Sequence, residues 1–167
     1  MYNAKMERPE GFFPFHKQTD PTECGPACLR IIAEYYGKPC SMEYLRELCS
    51  LKSNGTSIFR LGRAASQIGM RSLAVRVSYE NLGHMPLPAI AHWYGIHFVV
   101  IYRIGRRDVH VADPALGKIS YSRAQFLKGW LRSDAHNTNE GVLLLLEPVS
   151  SFRKEDDTRT AGHLGQI

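Results

Sequence analysis

Cys24 is the residue of this chain that is best placed for nucleophilic chemistry. A thiol reacts as its thiolate, and both a helix N-terminus and a neighbouring imidazolium favour that form. The apolar residues after Cys24 recur at helical spacing, and Pro26 suits the first turn of a helix. Cys24 therefore lies at or just before a predicted helix N-terminus. Cys28 falls one turn further in, and we expect it and most of the other thiols to be buried core residues.

A histidine that is distant in sequence must supply the general base. His97 begins the most apolar predicted strand, so a rigid element would hold its ring at one mouth of the sheet. His92, in the preceding strand, is an alternative base. Asp113 ends the strand after that of His97, and antiparallel pairing would place its carboxylate beside the imidazole. Position alone leaves a turn-forming role for Asp113 open, because Asp before Pro commonly opens a turn.

A tetrahedral intermediate also needs hydrogen-bond donors for its oxyanion. Gln18 lies six residues before Cys24, close enough for its side-chain amide to reach the same site. The backbone N–H of Cys24 would be a second donor. A glutamine in a loop is more often simply solvated, so spacing alone leaves the role of Gln18 open.

The elements that must position these residues fall into two halves. Before Gly69 the apolar periodicity predicts three helices, between Cys24 and Gly37, over 41–49 and over 57–67. After Gly69 it predicts strands over 73–77, 89–93, 97–103, 108–112, 118–121 and 141–147, with one helix over about 122–131. Helices followed by an antiparallel sheet indicate an α+β fold.

Composition excludes several classes of protein. The chain has 167 residues, of which 44% are hydrophobic and 22% charged, so it can bury one core and is not typical of a disordered chain. No apolar run approaches the roughly 18 residues of a membrane span. The sequence has no Walker A glycine loop and no apolar signal sequence at its N-terminus, so we expect a cytoplasmic location and no use of ATP by this chain alone.

Charge and cysteine spacing argue against nucleic acid, metal and disulfides. The net charge of +5 is spread along the chain, and the basic cluster at 103–107 indicates a hairpin turn better than a nucleic-acid surface. The four cysteines are irregularly spaced and far from the histidines, which is not the pattern of a zinc site. We therefore expect no metal and no other cofactor, and without an export signal we expect no disulfide.

Taken together, these residues lie in motifs that resemble those of the C39 cysteine peptidases. QTDPTECGPACL at 18–29 and YYG at 35–37 resemble the N-terminal motif of that family. PAIAHW at 88–93, HFVV at 97–100 and DPA at 113–115 resemble its later blocks. Order, spacing and flanking residues all agree, and the resemblance covers nearly the whole predicted domain.

The resemblance implies a papain-like fold and a function. Domains of this family usually lie at the N-terminus of bacteriocin-type ABC transporters and cleave leader peptides after a Gly-Gly type doublet before export. By position, Cys24 would be the nucleophile, His97 the general base and acid, Asp113 its orienter and Gln18 the oxyanion donor. The family often has a polar residue before its histidine where this chain has Ile96, which we expect to alter the groove and not the catalytic roles.

The resemblance also implies partners and a location. The partners would be a peptide precursor with a double-glycine leader and the transmembrane and ATP-binding domains of the full-length transporter. The domain would be cytoplasmic and attached to the cell membrane through those domains. The implied organisation is a flexible N-terminal segment over 1–14, a peptidase domain over 15–149 and a polar tail over 150–167 that leads towards a transmembrane region.

A Gly-Gly requirement has a physical basis if groove walls close over the two residues before the scissile bond, since any Cβ there would clash. The predicted walls are Trp93, Gly95 and Ile96. An amphipathic leader helix would need an apolar patch. Candidates for that patch are the apolar side chains Phe59, Leu61 and Met70, which periodicity equally allows to be core.

Two other functions remain open. One is a docking module that holds cargo for an exporter without cutting it, and the other is a papain-fold acyltransferase with the same constellation. The intact set of Cys24, His97 and Asp113 argues against the first. The mass of the product separates hydrolysis from acyl transfer.

Overall fold

In the computed structural model, which describes residues 12–49, 55–131, 139–150 and 152, helices precede an antiparallel sheet as predicted. The elements in chain order are a 3-10 helix Pro21–Glu23, α1 Cys24–Tyr35, α2 Met42–Cys49, α3 Ile58–Gln67, β1 Met70–Ser78, α4 Tyr79–Leu82, β2 Ala89–Trp93, β3 His97–Ile104, β4 Asp108–Asp113, β5 Gly117–Ser122, α5 Arg123–Trp130 and β6 Glu140–Pro148. The sequence does not predict the 3-10 helix or α4. Within the described residues, no helix is both long and apolar enough to span a bilayer.

The sheet has the strand order β1-β6-β2-β3-β4-β5, and neighbouring strands are antiparallel. The β2–β3 and β4–β5 hairpins turn at the same end of the sheet, where Trp93 pairs with His97 and Asp113 pairs with Gly117. The β3–β4 hairpin turns at the opposite end. The start of β3 and the end of β4 are therefore side by side, as the sequence predicted.

Each face of the sheet is covered by an apolar cluster. On one face, α1 packs on β3 and α3 packs on β1, and side chains such as Leu29, Ile32 and Leu61 are fully buried. On the other face, α5 contributes Phe126 and Trp130. Each such side chain contributes on the order of 1.5–3 kcal/mol through burial. The predicted arrangement of N-terminal helices on an antiparallel sheet is confirmed.

Both ends of the described chain join the folded domain. Phe13 and Pro14, which the sequence assigned to a flexible segment, are buried. Phe152, which it assigned to the polar tail, is also buried, with the Lys38 ammonium 5.0 Å from the centre of its ring. The predicted limits are therefore too narrow, because large apolar rings just outside them complete the core. The rest of the predicted flexible segment (1–11) and of the predicted tail (151 and 153–167) lies outside the described residues.

Candidate active site

Cys24 is the first residue of α1, and only 6% of it is exposed. The 3-10 helix turns the chain into α1, and Asp20 caps it by accepting a 2.8 Å hydrogen bond from the Thr22 N–H. The free N–H groups in the first turn of α1 favour a negative charge at this position. The Cys24 side chain therefore lies at the positive end of the α1 dipole.

Gly25 allows the start of α1 to approach α3 closely. A Cβ at this position would lie 2.6 Å from Thr56 Cγ2 and 2.9 Å from Leu61 Cδ2, closer than real carbon contacts. The glycine after Cys24 therefore sets how closely the N-terminal end of α1 packs against its neighbour.

The other thiols are buried and free, as predicted. Burial raises the pKa of the Cys49 thiol to about 12. Burial, reinforced by the charges of Cys24 and Asp113, raises the pKa of Cys28 well above its usual range. Of the four cysteines, Cys24 is the one whose side chain raises the pKa of His97.

His97 contacts two partners at once. Its Nε2 lies 2.7 Å from Asp113 Oδ1, and its ring also interacts electrostatically with the Cys24 side chain. With Nε2 directed at the carboxylate, Nδ1 is the nitrogen that remains for the thiol. Burial alone would lower the pKa of His97, but the hydrogen bond to Asp113, the interaction with Cys24 and the charges of both residues raise it to about 9. The imidazolium is therefore favoured at neutral pH.

Asp113 both contacts His97 and forms a turn, the two possibilities that the sequence left open. Its buried carboxylate accepts hydrogen bonds from His97 and, at 2.9 Å, from the Ala115 N–H. Its carbonyl accepts a 3.0 Å hydrogen bond from the Leu116 N–H, which closes the turn into β5. The Asp-Pro turn is thus the structure that aims the carboxylate at His97.

Gln18 lies beside the same turn. Its backbone N–H donates a 2.8 Å hydrogen bond to the Pro114 carbonyl. Its side-chain Oε1 is buried and has no hydrogen-bond partner among the described residues. The oxygen of the Gln18 side-chain amide therefore makes no hydrogen bond that stabilises the fold.

His92, the alternative base, stacks on Phe98 with ring centroids 5.2 Å apart. The ring that the structure brings to both Cys24 and Asp113 is that of His97.

Glu23 is a site residue to which the sequence assigned no role. Its buried side chain forms an ion pair with Arg46 of α2, and its Oε2 accepts hydrogen bonds from the Thr19 N–H at 3.1 Å and Oγ1 at 2.7 Å. Burial would raise the pKa of Glu23, but Thr19 and Arg46 outweigh it and lower that pKa. A carboxylate just before a helix can be recognised in the sequence as favourable to the helix N-terminus. No local sequence pattern indicates that Arg46 on α2 is its partner.

Three of the predicted substrate-binding residues, one groove wall and two members of the leader-helix patch, are buried in the core instead. Trp93 lies over Gly129 of α5, where a Cβ would come within 2.3 Å of its ring. Its strand thus directs it into the layer beneath α5. Leu61 and Met70 are buried in the cluster under the N-terminal helices. They cannot form an exposed patch for a leader helix.

The other predicted groove residues are accessible. Gly95 and Tyr94 form the turn before His97 with φ angles of +73° and +49°, in the region where a glycine is favoured. Ile96 is 87% exposed beside this turn, and Phe59 is 70% exposed on α3. Their contacts with a substrate remain predictions.

A helix-terminal cysteine joined to a histidine and a buried aspartate, on helices packed against an antiparallel sheet, defines a cysteine peptidase of papain-like fold. The profile of the Peptidase C39 family matches residues 13–135, and the chain belongs to that family.

Curated relatives include two bacterial export proteins. The chain is 32% identical over 142 residues to the lactococcin-G-processing and transport ATP-binding protein LagD of Lactococcus lactis, a match that covers 81% of this chain and 19% of that protein. It is also 32% identical to the colicin V secretion/processing ATP-binding protein CvaB of Escherichia coli, covering 85% of this chain and 19% of that protein. The chain thus spans about a fifth of the length of these relatives.

Solved structures are similar over most of the chain. A double glycine motif protease from an AMS/PCAT transporter, in complex with its leader peptide, has a TM-score of 0.75 and 26% identity, covering 83% of this chain and 93% of that one. The peptidase domain of Streptococcus ComA has a TM-score of 0.73 at 24% identity, covering 83% of this chain and all of that one. The second likeness is one of fold.

Proposed function

We propose that this domain cleaves leader peptides of secreted peptide precursors after a Gly-Gly type doublet, as the cytoplasmic part of a membrane-attached ABC transporter. The observation that carries the proposal is the contact of His97 with both Cys24 and Asp113. The transport and processing names of the relatives, and the protease solved with a leader peptide, support the substrate class. The peptidase domain would run from about residue 13 to residue 152, with the later residues leading to the transporter.

In the first half of the reaction, the Cys24 thiolate attacks the carbonyl carbon of the second glycine. The electron pair of the carbonyl moves onto its oxygen, where the Gln18 amide and the Cys24 backbone N–H donate hydrogen bonds. The His97 imidazolium then gives its Nδ1 proton to the departing nitrogen. The C–N bond breaks, the mature peptide leaves as an amine, and a thioester remains on Cys24.

In the second half, neutral His97 takes a proton from water at Nδ1 while the water oxygen bonds to the thioester carbon. The tetrahedral intermediate collapses, expels the Cys24 thiolate and releases the leader as a carboxylic acid. Asp113 keeps its bond to Nε2 throughout, so Nδ1 faces the reacting atoms in both halves.

The requirement for two glycines would arise at the turn before His97. Gly95 and the exposed Ile96 directly precede the histidine, and a substrate backbone lying close against this turn would leave no room for a Cβ. The exposed Phe59 is the remaining candidate for contact with an apolar leader helix.

The test uses a synthetic precursor whose amphipathic leader ends in Gly-Gly. It is chosen from a panel by its binding to Cys24→Ala, so that a poor match between leader and enzyme does not obscure the result. We expect the wild type to cut after the second glycine and Cys24→Ala to bind without cutting. Changing either glycine to alanine should lower kcat/KM by at least about 100-fold, because a misplaced carbonyl loses that much.

The competing functions predict different products. If the wild type binds this precursor as well as Cys24→Ala does and leaves it uncut, the domain is a docking module. If a leader adduct with an added amine forms while no free acid does, it is an acyltransferase. Mass spectrometry separates the two products, since hydrolysis adds water and transfer adds the amine.

A further inference from the structure

The two peptide groups on either side of the Gln18 Cα are anchored to different parts of the site. On one side, the Gln18 N–H donates to Pro114 at 2.8 Å, next to Asp113. On the other, the Thr19 N–H donates to Glu23 at 3.1 Å, next to Cys24. These two hydrogen bonds thus fix the backbone at Gln18 relative to Asp113 and relative to Cys24.

The side chain of Gln18 depends on these two anchors. Its Oε1 is buried without a hydrogen-bond partner among the described residues, so no hydrogen bond holds the side chain at that end. An oxyanion donor must lie within a few tenths of an ångström of its place to act. The position of the Gln18 amide therefore follows from where the backbone is held.

The anchor at Glu23 is itself held by one residue of another helix. Arg46 pairs with Glu23 Oε1, while Oε2 receives both hydrogen bonds from Thr19. A buried carboxylate needs a cationic partner close to it, and removing that partner is destabilising. Without Arg46, Glu23 would keep its hydrogen bonds from Thr19 but would be a buried charge without a counter-ion, and its hold on Thr19 would weaken through protonation or movement.

We infer that Glu23 and Arg46 are positioning residues that hold the Gln18 oxyanion donor in register with Cys24. The inference rests on the proposed function, since it needs Gln18 to act on the oxyanion. Because an oxyanion donor acts mainly in the transition state, loss of the ion pair should lower kcat and leave KM nearly unchanged.

The test is a double-mutant cycle between Arg46 and Gln18, with single-turnover cleavage of a precursor that the domain cuts. Arg46 is 43% exposed, so Arg46→Met is the variant least disruptive to folding. We expect Gln18→Ala to lower kcat by about 10²–10³-fold and Arg46→Met to lower it by roughly 10-fold or more. In the Gln18→Ala background, Arg46→Met should change kcat by no more than about twofold.

Three variants separate positioning from folding. Arg46→Lys keeps a positive charge near Glu23 and should restore most of the activity. Arg123→Met breaks the exposed ion pair between Arg123 and Glu80 and should leave kcat unchanged. Glu23→Gln combined with Arg46→Met keeps an acceptor for Thr19 without a buried charge, and it should recover part of the loss.

The outcomes are distinct. If Gln18→Ala leaves kcat unchanged, the oxyanion role in the proposed function is wrong, and this inference falls with it. If Gln18→Ala lowers kcat but Arg46→Met lowers it by the same factor in both backgrounds, the proposed function stands and this inference is refuted. A shift of the acid limb of the pH profile with such additive losses would show that Arg46 acts on the charge of Cys24 instead.

Discussion

Replacing Asp113 with asparagine would remove a charge next to His97 while keeping the hydrogen-bond geometry. His97 Nε2, at 2.7 Å, and the Ala115 N–H, at 2.9 Å, both reach the same carboxylate oxygen, Oδ1. Asparagine offers an oxygen at that position, so both hydrogen bonds can persist. Asp113→Ala is the matched variant, since it removes the charge and the orienting contact together.

The expected effect is a lower pKa of His97. Burial lowers this pKa, whereas Asp113 and Cys24 raise it, and the result is about 9 against an ordinary value of 6.5. This rise corresponds to about 3 kcal/mol in favour of the imidazolium. Because His97 is partly exposed and Cys24 contributes, we assign on the order of 1–2 kcal/mol to the charge of Asp113.

The pH profile should follow from this change. The imidazolium protonates the departing amine, so kcat/KM falls as pH rises through the pKa of His97. In the wild type this alkaline limb should lie near pH 9. In Asp113→Asn it should move down by roughly one pH unit, and Asp113→Ala should add a loss of about 10²-fold or more at the optimum from misorientation.

The raised pKa of His97 also predicts how the free energy of unfolding changes with pH. The folded pKa of His97 is raised, so its stabilising contribution is complete below about pH 6.5 and is lost as pH rises through about 9. Urea unfolding of the wild type and Asp113→Asn across this window should show a steeper decline for the wild type. Circular dichroism at each pH serves as the control for folding.

The most direct measurement is a titration of the His97 ring by NMR. It compares Cys24→Ala with Cys24→Ala/Asp113→Asn, so that the thiol contributes to neither. If His97 titrates at the same pH in both variants, Asp113 does not raise its pKa and the reasoning is refuted. An unchanged alkaline limb in Asp113→Asn would contradict it as well.

Two further predictions concern packing. Gly25→Ala should destabilise the domain by about 1–3 kcal/mol and lower kcat, because its methyl group would force Leu61 away and shift Cys24. Urea unfolding measures the first effect and precursor cleavage the second. An unchanged kcat would show that the start of α1 adapts freely. Phe152→Ala should lower the free energy of unfolding by about 3 kcal/mol and expose the Lys38 ammonium, while kcat of the folded protein stays unchanged. A melting temperature equal to that of the wild type would mean that Phe152 does not hold the end of the chain.

Local sequence signals were enough to predict most of the fold. Ser57 begins α3 by accepting a 3.3 Å hydrogen bond from the Arg60 N–H, and Ser122 begins α5 with a reciprocal capping box to Gln125. Period-two alternation predicted the strands within a few residues. These signals act over three or four residues, so no tertiary contact is needed to recognise them.

The wrong groove residues show where local signals stop. The alternation of side chains along a strand predicts that Trp93 points to one face of the sheet. It does not predict which layer covers that face. Its neighbour turned out to be Gly129, 36 positions further along the chain. Leu61 and Met70 present the same problem, since an apolar side chain at a helix or strand position serves core and binding surface equally well.

The site divides along the same line. His97 and Asp113 are 16 residues apart in strands joined by one hairpin, and hairpin register is a short-range property, so their contact could be predicted. The anchors of Gln18 cross between layers instead, to Pro114 and through Glu23 to Arg46. The Pro114 carbonyl that holds Gln18 belongs to the turn that aims Asp113. His97 and Asp113 and the proposed oxyanion donor Gln18 are therefore tied to one turn.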